Sequence, residues 1–319
     1  MTATASTTNP STAPSIRHGF SYAAALHDSL KVGWRVEDVL ADGRFDFGRP
    51  FLPDALAGIH ATPHLDAADR LALNHIRGRT YLYLFGFVEE FILPFIVEES
   101  RGAVHGDSVR VRSLLTFAQE EAKHIDLFRR FSVAFDRAFA TPIELIGPAH
   151  EVAAAVLAHG KLGVLFTILH LEWLTLKHYL DAVKDTGEPL DPHFVRLLRY
   201  HWQEESQHAK VDTLLTAELV ETLSPEEIQA GFDDFLDIVR LLDGGLVAQV
   251  GHDIAALERH RGRAFEPAER AEIVAAQVRS YRRTFLIEGA RHPTFVDLLG
   301  QISPRGARQV ADAVAALEA

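Results

Sequence analysis

The sequence predicts an all-α protein built around a bundle of long helices. Apolar residues recur at helical spacing from about residue 66 onward, and no stretch alternates apolar and polar residues as a strand does. Proline and glycine residues divide this region into long segments, each suited to one bundle helix. With 319 residues, of which 47% are hydrophobic, the chain has enough apolar material for a large core.

The region before the bundle is expected to lack long helices. Residues 1–15 are rich in Ser, Thr, Ala and Pro, and we expect them to form a disordered tail. Residues 16–65 are expected to form an irregular arm that packs on the bundle. The stretch Phe45 to Leu56 supports this prediction, because its glycine and two prolines oppose regular structure while its aromatic residues would cover an edge of the core.

Four helices are expected within residues 66–222. Their predicted bounds are Asp66 to Glu99, Ser108 to Phe139, Glu151 to Lys184 and Pro192 to Thr222. The roughly ten residues between the second and third helices, if extended, would cover about 33–36 Å, close to the length of a bundle. Such a crossover would leave these two helices parallel, although a short turn with extra helical residues fits the same stretch.

Residues 223–319 are expected to add further helices to the same domain. The sequence Ser224-Pro225-Glu226-Glu227 is typical of a helix start, with proline in the first turn and acidic residues beside the positive end of the helix dipole. This helix should end near Arg261. Glu266-Pro267 starts another helix, and a last short helix is expected from Ile302 to Ala319.

Composition narrows the chemistry before any motif is considered. The net charge is −12, which argues against nucleic acid or an anionic membrane as the main partner. The chain contains no cysteine, so it has no disulfide, thiolate metal site or cysteine nucleophile. Its 17 histidines and its carboxylates leave imidazole and oxygen as the metal ligands, a combination that suits iron, manganese or zinc.

The most apolar stretch, Tyr81 to Val97, carries two carboxylates near its middle, Glu89 and Glu90. Charged groups at the centre of a bilayer are costly, whereas a helical bundle can pair such carboxylates or give them a metal. We therefore expect a buried helix and no membrane span. Because residues 1–15 also lack the basic and apolar parts of a secretion signal, a cytoplasmic location is predicted.

Two segments of the predicted helices are nearly identical. The second helix contains Gln119-Glu120-Glu121-Ala122-Lys123-His124, and the fourth contains Gln203-Glu204-Glu205-Ser206-Gln207-His208. In each, Glu and His three residues apart lie on one helical face, so both side chains can reach one ion. A single Glu-x-x-His means little in a chain so rich in both residues. The repetition of the whole motif indicates a paired site.

The first and third helices supply one further carboxylate each. Glu172 lies among apolar residues, where a carboxylate must be metal-bound, neutralised or paired, for example with Lys177 or an arginine of another helix. In the first helix we predict Glu89, whose face is apolar, over Glu90, whose face is more polar. Glu121 follows Glu89 by 32 residues and Glu205 follows Glu172 by 33, which indicates two similar half-sites.

This arrangement resembles that of the ferritin-like di-iron and di-manganese carboxylate proteins, in which two helices give one Glu each and two give Glu-x-x-His. The resemblance implies a ferritin-like four-helix bundle that holds two iron ions, with manganese or a mixed iron and manganese pair as the alternative. Four carboxylates would balance the charge of two divalent cations, and open positions on the metals would admit O2.

A further histidine, His201, lies on the same helical face as Glu205 and His208. From Leu82 to Lys210 the chain resembles the p-aminobenzoate N-oxygenase family, whose di-iron site has a third His at this position. The resemblance implies an oxygenase that activates O2, supplied with electrons by an external reductase or ferredoxin, and favours N-oxygenation of an amine over hydroxylation or desaturation. The implied metal ligands are Glu89, Glu121, His124, Glu172, His201, Glu205 and His208. Glu120 and Glu204, where related proteins often have Asp, would orient the His ligands.

Other interpretations remain open at this stage. The extra His also occurs in a ferritin-like group of predicted metal-dependent hydrolases, so a dinuclear hydrolase fits the motif. Iron oxidation and storage, or a bundle with incidental acidic residues, are further alternatives, and a homodimer is possible. His170 and His178 are expected to be core or pocket residues. Five aromatic residues near the ligands could line a substrate pocket or simply fill the core: Phe85, Phe117, Trp173, Tyr179 and Trp202.

Overall fold

The computed structural model describes residues 16–40 and 44–318, and every regular element in these ranges is helical. The all-α prediction is confirmed. The tail expected at residues 1–15 lies outside the described residues. The helices are α1 (Tyr22–Val32), α2 (Val36–Leu40), α3 (Asp54–Ala57), α4 (Ala67–Ala103), α5 (Ser108–Ala138), α6 (Ala149–Leu157), α7 (Lys161–Lys177), α8 (Pro192–Val220), α9 (Pro225–Arg261), α10 (Pro267–Arg282), α11 (Glu288–Ala290), α12 (Pro293–Ile302) and α13 (Pro304–Glu318). Two π-helical segments, His178–Val183 and Arg283–Ile287, continue α7 and α10.

Helices α4, α5, α7 and α8 form a ferritin-like four-helix bundle. Helix α5 runs antiparallel to α8, and so does α7 together with the π-helical segment that continues it. Helices α5 and α7 are therefore parallel, as the crossover prediction requires. The contacts that establish these directions are Glu120 with His208 and His124 with Glu204 between α5 and α8, and Glu172 with His208 and Tyr179 with Trp202 between the α7 segment and α8. The crossover, residues 139–160, contains the short helix α6.

The third bundle helix is not continuous from Glu151 to Lys184, so this prediction was wrong. The chain breaks between α6 and α7 at Gly160, which is extended and caps α7. The Gly160 amide donates to Asp234 Oδ2 of α9 at 3.0 Å, and a Cβ at this position would come within 2.5 Å of that oxygen. The break therefore allows α9 to pack closely against the start of α7.

The N-terminal arm is more regular than the sequence indicated, because residues 16–65 include α1, α2 and α3. Helix α1 is capped by the Ser21 side chain and packs across α5 and α8. Its Ser29 hydroxyl donates to Glu120 at 3.4 Å, and Asp28 pairs with Lys210 at 3.4 Å. The arm thus covers the two helices that carry the repeated motif.

The C-terminal helices pack on the other side of the bundle. Helix α9 lies along α7, where Gly163 and Gly231 permit close approach of the two backbones. The last helix was predicted to start at Ile302, but α12 ends there and α13 begins at Pro304. Ser303 has an extended backbone between them, and its hydroxyl accepts from the Gly306 amide.

Among the described residues, one helix, α4, is long and apolar enough to cross a membrane. Its most apolar window is 67% buried inside the structure. Helices α5, α6 and α9 pack against it, so α4 serves as a core helix here.

Candidate metal centre

The seven residues predicted as metal ligands come together in the middle of the bundle. Glu89 lies on α4, Glu121 and His124 on α5, Glu172 on α7, and His201, Glu205 and His208 on α8. None of them is more than 4% exposed. Four helices thus converge with four carboxylates and three imidazoles in a site that water reaches poorly.

The side chains form two overlapping clusters. In each cluster the potential ligand atoms lie within 4.8 Å of one another, and Glu205 and His124 belong to both. The first cluster is completed by Glu89 and His201, and the second by Glu121 and His208. Glu172 adjoins the second cluster, with its Oε2 atom 4.0 Å from Nδ1 of His208.

Glu205 is central to this geometry. Its Oε1 atom is 3.0 Å from Nδ1 of His124, 3.1 Å from Nε2 of His201 and 3.4 Å from Nδ1 of His208. Because Glu205 belongs to both clusters, it would be a ligand shared by the two sites if both held an ion.

The two Glu-x-x-His motifs hold each other's histidines. Glu204 Oε2 is 2.8 Å from Nε2 of His124, and Glu120 Oε2 is 3.0 Å from Nε2 of His208. A carboxylate only accepts hydrogen bonds, so each Nε2 carries a hydrogen, and each ring would offer its Nδ1 lone pair to a bound ion. Glu120 and Glu204 are thus placed as the sequence predicted for residues that orient the histidines.

Several buried atoms of these residues face one another without making a well-aligned hydrogen bond within the described chain. These atoms include Nδ1 of both His124 and His208 and both oxygens of Glu121 and Glu172, whereas the inward-facing Nε2 of His201 lies 3.1 Å from Oε1 of Glu89. Buried polar atoms without partners are costly. Carboxylate oxygens and imidazole nitrogens in this number are suitable ligands for two iron or manganese ions, so the residues fit the dinuclear centre.

Without cations, the centre holds protons in their place. Burial, together with the charges of Glu121 and Glu205, raises the pKa of Glu89 well above its usual value. Burial also raises the pKa of Glu172, as does the charge of Glu205. Burial lowers the pKa of His124, but its contacts with the carboxylates of Glu204 and Glu205 outweigh this and raise the pKa to about 9. Binding two metal ions would therefore release protons.

The structure separates residues that the sequence left ambiguous. Glu89 is buried in the first cluster, whereas Glu90 points away from it and pairs with Arg129 at 2.8 Å. Lys177, the alternative partner for Glu172, pairs with Asp181 at 2.6 Å instead. His170 and His178 lie outside both clusters and bond to backbone carbonyls of residues 286 and 284.

Three residues around the centre were not identified from the sequence. Trp34 stacks on His124 with ring centroids 5.7 Å apart, and Ser29 donates to Glu120. Both belong to the N-terminal arm, which carries no motif. Asp212 lies one helical turn beyond His208, fully buried, and neither of its oxygens has a hydrogen-bond partner in the described structure. Burial raises its pKa well above the usual value. The sequence signal for Asp212 is its position on the face of α8 that carries the proposed ligands.

The five aromatic residues differ in their positions. Phe117 stacks on His208 at 3.8 Å, and Phe85 meets His201 edge-on at 5.5 Å, so both enclose the centre. The other three make aromatic pairs away from the ligands: Tyr179 with Trp202, and Trp173 with His292.

No protein-family model and no curated protein matches the chain. Among solved structures, R2-like ligand-binding oxidases are similar. One with an aerobically reconstituted Mn/Fe cofactor is 14% identical, with a TM-score of 0.41 over 83% of this chain and 93% of that chain. A variant with an Fe/Fe cofactor gives the same values. These comparisons do not confirm the resemblance to the p-aminobenzoate N-oxygenase family. The likeness is distant, and the assignment of the centre rests on the side chains of this protein.

Proposed function

We propose that the protein is a ferritin-like dinuclear metal oxidase that activates O2 and oxidises a small organic substrate. The observation that carries this proposal is the shared carboxylate of Glu205, which faces three imidazoles and belongs to two buried clusters of potential ligand atoms. The proposed ligands are those predicted from the sequence: Glu89, Glu121, His124, Glu172, His201, Glu205 and His208.

Two bound iron ions would supply the electrons and the open coordination positions that O2 needs. The chain contributes charge balance, because four carboxylates offset two divalent cations. It contributes orientation through Glu120 and Glu204, which hold each imidazole in one tautomer. It also excludes water, since every proposed ligand is buried. A dry, preorganised set of ligands protects a reactive oxidant from side reactions.

The two clusters are chemically different. Each cluster has two histidines and two glutamates, but the one with Glu121 also has Glu172 beside it as a further oxygen ligand. Oxygen ligands favour manganese more than imidazoles do. This asymmetry supports a mixed manganese and iron pair as the alternative to two irons.

The finer assignments follow from the family resemblance of the sequence. We propose N-oxygenation of an amine as the first reaction to test, with hydroxylation or desaturation next. An external reductase or ferredoxin would supply electrons. The proposed location is the cytoplasm, and a homodimer is the proposed alternative to a monomer.

The proposal is tested by loading the protein anaerobically with Fe²⁺ and then mixing it rapidly with O2 while recording visible absorbance. We expect a transient coloured species and, with a reductant and neutral aromatic amines, oxygenated product. Zinc-loaded protein is the control, because zinc occupies such ligands but does not reduce O2. Two bound irons without any reaction with O2 would contradict the proposal. Substrate turnover without O2 or a reductant would indicate a dinuclear hydrolase.

A further inference from the structure

An apolar cavity of about 460 Å³ lies between α4, α7, α9 and the π-helical segment Arg283–Ile287. This volume is in the range of small-molecule binding sites. Its walls include Leu84, Phe85 and Val88 of α4, Leu171 of α7, and Phe285 and Leu286 of the π-helical segment. π-Helical turns are uncommon and often occur at functional sites.

The cavity offers almost no hydrogen-bonding groups to a ligand. Its one charged lining residue, Arg240, is largely exposed and hydrogen-bonded to Asp237 on the same helix. A charged ligand group would therefore lose its hydration inside the cavity without gaining a partner. The lining suits an uncharged hydrocarbon or aromatic molecule.

Two consecutive glycines, Gly244 and Gly245, line the cavity from the interior of α9. Glycine inside a helix costs about 1 kcal/mol relative to alanine, so packing usually explains its presence. A Cβ at Gly244 would meet no atom within 4 Å, so no neighbouring residue requires glycine there. Side chains at this position would instead narrow the cavity.

The cavity adjoins the metal centre. Phe85 forms part of its wall and, on the other side, contacts the ring of His201 with centroids 5.5 Å apart. Leu171, also in the wall, immediately precedes Glu172. One layer of side chains thus separates a bound molecule from the proposed ligands.

We infer that this cavity binds the substrate of the centre and that the substrate is an uncharged, largely apolar molecule, such as a neutral aromatic amine or a hydrocarbon. The inference rests on the proposed function in one respect, namely that the bound molecule is a substrate of the metal centre. The binding site itself is a property of the cavity and can be tested separately. A protonated alkylamine would be a poor ligand because the apolar walls disfavour its charge.

Binding is tested with fluoronaphthalene, a neutral aromatic probe, observed by fluorine NMR with the full-length chain. We expect saturable binding to the unaltered protein. Gly244→Leu should weaken it at least tenfold while leaving the protein at least as stable to urea, because leucine favours a helix more than glycine does. Gly251→Leu is the matched control, since Gly251 also lies in α9 with no atom within 4 Å of its Cβ but outside the cavity.

A second variant, Val88→Phe, fills the cavity from α4 and should weaken binding as well. Equal affinity in the unaltered protein and in both filling variants would overturn the inference, as would failure of the unaltered protein to bind the probe.

Proximity to the centre is tested by loading Mn²⁺ and comparing the fluorine line width of the bound probe with that in zinc-loaded protein. Strong broadening by Mn²⁺ is expected, and its loss in Glu205→Ala would tie the effect to the metal site. Broadening no greater than with zinc, in protein that holds manganese, would overturn the link between cavity and centre. If the probe binds but no metal does, the proposed function fails while the binding site stands.

Discussion

Glu204 on α8 accepts the Nε2 hydrogen of His124 on α5 at 2.8 Å, and it also pairs with Lys123. The reciprocal pair, Glu120 with His208, has a distance of 3.0 Å. Each repeated motif therefore positions the imidazole of the other. This exchange explains why the glutamate before each proposed ligand is part of the repeat. It also ties α5 and α8 together at the level of the centre.

Removing the charge of Glu204 or Glu120, which hold His124 and His208, should lower metal affinity but leave the protein folded. Glu204→Gln and Glu120→Gln should each weaken iron binding by about 10- to 100-fold, because the negative charge of the carboxylate beside each histidine makes that histidine a better ligand. Calorimetric titration with Fe²⁺ under anaerobic conditions measures this effect. Glu90→Gln is the control, since Glu90 contacts Arg129 and lies outside both clusters. Unchanged affinity in both variants would show that these carboxylates do not support the centre.

His201 offers a test of the difference between the two clusters. His201→Phe should weaken the binding of one iron by tenfold or more and leave the other nearly unaffected, because His201 belongs only to the cluster with Glu89. The measurement is a stepwise anaerobic Fe²⁺ titration that resolves two binding events. Equal weakening of both events, or of neither, would be inconsistent with this assignment.

His178 should make stability depend on pH. Its Nε2 donates to the carbonyl of Thr284 at 2.9 Å, so its Nδ1 accepts from the Tyr81 hydroxyl at 2.8 Å. Burial lowers the pKa of His178 to about 4. Between pH 6.5 and 4 the unfolded chain binds a proton that the folded chain does not, so stability falls as the pH falls, by up to roughly 3 kcal/mol.

Urea unfolding of metal-free protein at several pH values in this window measures the effect. His178→Gln should be less stable at pH 7 but lose less stability on acidification than the unaltered protein. The comparison cancels the contributions of the other histidines. Parallel pH profiles for the two proteins would contradict the assignment of a neutral, buried His178.

The glycines at the contact of α7 and α9 should be intolerant of even a methyl group. A Cβ at Gly163 would lie 2.4 Å from Cβ of Asp234 and 3.0 Å from a backbone nitrogen, so neither helix can yield easily. Gly163→Ala should destabilise the protein by about 1–3 kcal/mol despite its better helix propensity. Urea unfolding tests this, with Gly251→Ala as a control expected to be neutral or stabilising.

The sequence predicted the parts of the molecule in which local pattern and tertiary structure agree. The starts of α5 and α8 were predicted correctly because an aspartate caps each helix and a proline opens α8. The repeated motifs identified the residues that meet in the centre, and helical periodicity was enough to favour Glu89 over Glu90. These features depend on which residues share a face of one helix.

Features that depend on contacts between distant segments were not predictable. The break at Gly160 follows from its contact with Asp234, about seventy residues later. Trp34 reaches His124 because the arm folds over α5, and nothing near Trp34 in the sequence indicates this. The cavity likewise requires four separate segments to meet. Gly244 and Gly245 are visible in the sequence, but their meaning depends on the space beside them.

The most direct test of the dinuclear centre is the number of Fe²⁺ ions that the chain binds, measured by anaerobic titration in the unaltered protein, in Glu205→Ala and in Glu90→Ala. Because Glu205 belongs to both clusters, its loss should affect both ions. We predict two ions per chain in the unaltered protein and in Glu90→Ala, and weakened binding of both in a folded Glu205→Ala. One ion or none in the unaltered protein, or two tightly bound ions in Glu205→Ala, would contradict the centre described here.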